Sequence, residues 1–153
     1  MWIHDRDQPQ YAGPSDHGAR AANWAKENLK GFGFPAAKVP EVCFAVANHS
    51  NPPGSLAGQA QEARMLWDAD KLTKIGAFPV VVYLCGFPAY PDKVMTLQSI
   101  VDHGFWHLQR VSHLVENFYF ERSRQRARLK LAAERAYYAA LAEEAGFEPD
   151  GQI

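Results

Sequence analysis

At 153 residues, 47% hydrophobic and 22% charged, the chain has the length and make-up of one globular domain with a continuous core, and not of a disordered tail. A formal net charge of −1 excludes a global electrostatic pull toward nucleic acid or an anionic membrane. No basic stretch leads into an apolar one at the N-terminus, and the longest apolar run, GAFPVVVYLCGF, is too short to span a bilayer, so a soluble, cytoplasmic protein is expected. Cys43 and Cys85 sit in apolar contexts with no CxxC spacing and read as reduced core residues.

Residues 1–14 carry two prolines and little periodicity, and read as the end of a helix followed by a loop. Ser15 is placed as the N-cap of a helix running to about Lys30, with Ala21, Trp24, Ala25 and Leu29 as its apolar stripe and Gly31 and Gly33 as its stop. Pro40 opens a second helix, PEVCFAVANH, which ends at HSNPPGS. A third helix is predicted from roughly Leu56 to Lys74, stopped by Gly76. The β-branched run FPVVVYL suits either a short strand or a buried helix, and its helical neighbours favour the helix. Two longer amphipathic helices follow, at roughly Lys93–His113 and Phe118–Ala145, before Gly146 and a polar tail over 147–153. The pattern is that of an all-α bundle in a single domain.

Residues able to hold a metal come from four segments: His4 and Asp5, His17, His49, and the pair Asp68 and Asp70. Mixed imidazole and carboxylate donors suit Mn, Fe, Co, Ni or Mg better than a thiolate-held structural zinc. In EARMLWDADKL, Asp70 shares a helical face with Ala63, Leu66 and Trp67, whereas Asp68 lies beside Arg64 and Lys71. Asp70 is therefore expected inside and Asp68 on a solvated, charge-paired face. An inward carboxylate needs a positive or hydrogen-bonding partner, and a metal ion is the first candidate.

Taken in order, HD at the start, a His opening the next helix (DHGARAANWAKENL), a His ending the following one (VCFAVANHS) and then EARMLWDADKLTKIGA resemble the HD-domain metal-dependent phosphohydrolases, the small bacterial group in particular. The resemblance covers His4 to about Ala77 and extends more loosely to FERSRQRARLKLAAER. It implies an all-α, HD-domain-like bundle that holds a divalent ion. His4 and Asp5 would be the central ligand pair and Asp70 the closing ligand, with His17 and His49 matching the positions that bind a second ion or contact phosphate. The family also carries an earlier His on a helix well before its His-Asp pair. Nothing corresponds to it here, and the expectation is an internal start or a truncation that costs one ligand and at least one core helix.

The chemistry implied is metal-assisted hydrolysis of a phosphomonoester, phosphodiester or nucleotide. Asp5 or Asp16 would orient the water, and Lys71 and Arg20 would neighbour the phosphate, unless Lys71 simply pairs with Asp68. Two other readings stand beside it: a catalytically impaired remnant serving as a binding or assembly module, and a di-iron oxygenase of the same ligand type. At single positions, His49 also fits a histidine at a helix C-terminal dipole, and His17 a solvent-facing residue or local cap. His103 and His107, four apart, read as an aromatic-rich core or surface pair, and His113 as surface. Arg122, Arg124, Arg126, Arg128 and Lys130, flanked by Glu121 and Glu134, scatter around a solvated helix, which with the neutral overall charge counts against a nucleic-acid surface. Trp24, Trp67, Trp106, Phe118, Tyr119 and Phe120 are assigned to the core.

Overall fold

The computed structural model describes Ile3 and residues 17–86 and 96–147; Ser15 and Lys93, two expected helix-start positions, lie outside them. Among the described residues there are six α-helices and no strand: α1 (His17–Asn28), α2 (Val39–Asn48), α3 (Gln61–Leu72), α4 (Ala77–Gly86), α5 (Leu97–Ser112) and α6 (Glu121–Ala145). Short 3-10 turns at Leu29–Phe32, Ala36–Lys38 and Val115–Asn117 join them. The all-α expectation holds, and FPVVVYL is helical within α4. No helix among the described residues is long and apolar enough to cross a membrane.

The chain divides into two compact units, residues 1–70 and residues 71–153. In the first, α1 and α2 run antiparallel. Gly18 meets the Val46 and Ala47 carbonyls, the Cys43 thiol donates to the Ala22 carbonyl, and Ala25 and Leu29 pack with Val39. Small residues at Gly18, Ala21, Ala22 and Ala25, all buried, make this close approach possible. Ile3 packs on the same core, as does Leu66 of α3. The third helix starts at Gln61, later than the sequence suggested, because Pro52 to Gln59 form consecutive tight turns. Gly58, at φ 75°, supplies a left-handed step that a helix cannot contain.

In the second unit, α5 buries Val101, Gly104, Phe105, Leu108 and Val111, an i, i+3, i+4, i+7 face. Thr96 and Ser99 close its N-terminus as a reciprocal capping box, so α5 begins after Lys93. Opposite it, α6 buries Ala127, Leu131, Glu134, Tyr138 and Ala142 along one stripe, and Gly146 at φ 68° ends the helix. The basic residues of α6 are largely solvated as expected: Arg128 pairs with Glu116 at 2.8 Å and Arg124 with Glu121 at 2.8 Å.

Three expectations need correction. Cys85 is exposed, because it shares with Phe78, Val81 and Val82 the i, i+3, i+4, i+7 face of α4 that points outward. Trp106 is half exposed, with the Arg110 guanidinium 4.8 Å above its ring. Glu134, placed on a solvated flank, is buried.

Candidate functional site

The first residue of α1 and the residue closing α2 meet because the two helices are antiparallel. His17 Nε2 lies 3.0 Å from His49 Nε2, with the rings edge to face at 4.9 Å between centroids. His49 is 1% exposed, and its Nδ1 is 2.6 Å from the Val46 carbonyl. A carbonyl only accepts, so Nδ1 carries a proton and Nε2 is the nitrogen turned toward His17. The Val46 carbonyl thus sets tautomer and ring orientation together, the role that outer partners play for metal-binding histidines.

The separation fits a shared cation. Two imidazole nitrogens each about 2.1 Å from one ion stand about 3.0 Å apart at a right angle and about 3.4 Å apart at the tetrahedral angle. The observed 3.0 Å is compatible with His17 and His49 as residues that would hold one ion together. It is equally the length of an N–H···N hydrogen bond between the two rings. The donor set is partial: among the described residues no three of His, Cys, Asp and Glu gather closely enough to hold a metal ion. His4, Asp5 and Asp16 lie outside the described residues, although Ile3, immediately before the pair, packs on the α1–α2 core.

Asp70 is buried on α3 at 6% exposure, as expected from its face. Asp68 is buried as well, at 2%, which corrects the solvated placement. Arg64 and Lys71 are its helical neighbours, but their face is itself enclosed: both are half-buried, and the covered arc from Asp70 through Trp67 to Asp68 spans roughly 160°. Trp67, wholly buried, anchors this helix by donating Nε1–H to the Asn51 carbonyl at 3.0 Å, in the loop just after His49. Lys71 follows Asp70 at the end of α3, and Arg20 lies one turn along α1 from His17. In the second unit the His103 ring stacks on Tyr83 at 3.7 Å, in keeping with an aromatic role.

Gly18 controls the spacing of the two histidines. A Cβ there would lie 2.9 Å from the Ala47 carbonyl oxygen and 3.0 Å from that of Val46, the atom that orients His49. In an open helix Gly→Ala gains about 1 kcal/mol, yet here two backbone atoms must retreat, which costs roughly 1–3 kcal/mol. Gly18→Ala is therefore expected to lower the melting temperature by a few degrees and to separate the imidazoles, read as a change in their NMR cross-peaks.

A scan against protein-family models matched none, and searches of curated proteins and of solved structures returned no match.

Proposed function

We propose that the chain is a metal-dependent phosphohydrolase of the HD type, acting on a small phosphorylated substrate such as a phosphoester or nucleotide. The observation that carries the reading is the His17–His49 pair, two Nε2 atoms 3.0 Å apart with one tautomer fixed by a backbone carbonyl. His17 and His49, with Asp70 and the His4-Asp5 pair, are the residues that would hold a divalent Mn, Fe, Co, Ni or Mg ion. Such an ion, when bound, lowers the pKa of water and offsets phosphate charge. The chain's own contribution is orientation: Val46 aims His49, the α1–α2 contact at Gly18 sets the distance to His17, and Trp67 ties α3 to the loop after His49. Arg20 and Lys71 supply positive charge for the phosphate, and Asp5 or Asp16 would hold the attacking water.

The test is a panel of phosphomonoesters, phosphodiesters and nucleotides assayed with added Mn, Co, Ni or Mg, with and without chelator. Hydrolysis that requires the ion is expected. Asp70→Asn, which keeps an oxygen donor but loses the charge, is expected to reduce it about tenfold. Turnover indifferent to both chelator and Asp70→Asn would overturn the proposal. A second reading is a fold remnant acting as a binding or assembly module. No hydrolysis with any ion, from a folded protein, would select it. Iron retention with oxygen uptake but no phosphate release would instead mark the oxygenase.

A further inference from the structure

The turn that closes α3 is gripped at three backbone groups by side chains of two other helices. Lys130 Nζ of α6 donates to the Leu72 carbonyl, His107 Nε2 of α5 donates to the Lys74 carbonyl at 2.8 Å, and the Gly76 N–H donates to Glu134 Oε2 of α6 at 2.7 Å. Gly76 takes φ 95°, and a Cβ there would meet Lys130 Cε at 2.9 Å, so the turn fits against Lys130 only as glycine. The second oxygen of Glu134 is fully buried and makes no hydrogen bond among the described residues. It faces His107 Nε2 at 3.6 Å, but that N–H is already committed to Lys74. A buried carboxylate with one oxygen unsatisfied is costly chiefly through its charge, and a proton removes that cost.

We propose that Glu134, His107 and Lys130 form a protonation-linked latch on the Leu72–Gly76 turn, firm while the Glu134 carboxyl is neutral and loosened when it ionises. The inference concerns the second unit alone and is independent of the metal reading. The groups facing Glu134 are His107 from α5, the Gly76 amide from the turn, and Lys130 and Tyr138 from its own helix; Tyr83 of α4 stands behind Tyr138. Burial raises the carboxyl's pKa, and the Gly76 amide, His107 and Lys130 counter it only in part. Burial in turn pushes the Lys130 ammonium down, and burial together with Glu134 pushes Tyr138 up to about 12. An acid whose folded pKa is raised stabilises the fold below its unfolded value, about 4.3 for glutamate. That contribution is lost as pH rises through the folded value.

The test follows the Gly76 amide by two-dimensional NMR from pH 4 to 8, since that proton points at the carboxyl. In the wild type its resonance is expected to move in a single step above the ordinary glutamate range, with its exchange protection falling about tenfold across the step after correction for intrinsic base catalysis. Glu134→Gln, which keeps the acceptor and cannot ionise, is expected to be flat in both readouts. A wild-type Gly76 resonance that does not titrate, or that titrates in the ordinary range, would overturn the latch even if the variant failed to fold. So would an equal step in Glu134→Gln, or protection that stays constant through the step.

Discussion

On the metal-dependent reading proposed above, substituting His49 by alanine is expected to weaken divalent-ion binding about 100-fold or more, and in any case to lower stability by roughly 2–4 kcal/mol. The two losses have different sources. Stability falls because His49 is 1% exposed, so its removal leaves a hole in the first unit, and because the Val46 carbonyl loses its donor in a place water does not reach. Ion binding falls because one of two converging nitrogens is gone. His17 separates these effects. It begins α1 and is only partly buried, so His17→Ala leaves no hole and should cost about 1–2 kcal/mol, chiefly the contact to the buried His49 Nε2, while removing an equivalent donor. Calorimetric titration with cobalt or nickel, alongside urea unfolding, distinguishes the outcomes. Both variants should lose affinity, but only His49→Ala should move the unfolding midpoint far. If His17→Ala binds the ion as the wild type does, the two rings form a buried hydrogen-bonded pair and not a ligand pair.

Much of this was legible in the residues, and the failures have two causes. Helix identity followed from periodicity and from Pro and Gly punctuation, and it held even for the β-branched α4, where neighbours outweighed local propensity. The inward face of Asp70 was readable because it shares a stripe with Ala63 and Trp67. The burial of Asp68 was not, since helical geometry says which residues adjoin it but not whether a neighbouring element covers them. His17 and His49 are separated by 32 positions, and only the antiparallel α1–α2 pairing, set by the small residues of α1, brings their Nε2 atoms together. Glu134 is different, because its signal was in plain view. Ala127, Leu131, Tyr138 and Ala142 mark out the apolar stripe of α6, and Glu134 falls on it three residues past Leu131. The alternating basic residues before it mask a carboxylate on the buried side. Its partners His107 and Gly76 lie in other elements, so the bonds themselves could not be read from spacing.

Gly104→Ala is expected to destabilise the second unit by roughly 2–4 kcal/mol, against a gain of about 1 kcal/mol that alanine brings to an open helix. A Cβ on Gly104 would lie 2.2 Å from both Cδ1 and Cε1 of Tyr138 and 2.4 Å from its Cζ. Carbon atoms prefer about 3.5–4.0 Å, so the ring would have to retreat by more than 1 Å. It has nowhere to go, being 2% exposed and packed near Phe105 and Tyr137. Moving it also disturbs Glu134, one turn earlier on the same stripe. The melting temperature should fall by about 5–15 °C, the range that such a loss produces in a chain of this size. Tyr138→Leu supplies the diagnostic background, because it removes the ring atoms in conflict while leaving an apolar side chain on the stripe. There, Gly104→Ala should become neutral or mildly stabilising, so that the sign of the substitution reverses across the double-mutant cycle. An equal loss in both backgrounds would show that Gly104 serves something other than the close approach of α5 to the Tyr138 ring, and the packing of these two helices would need a different account.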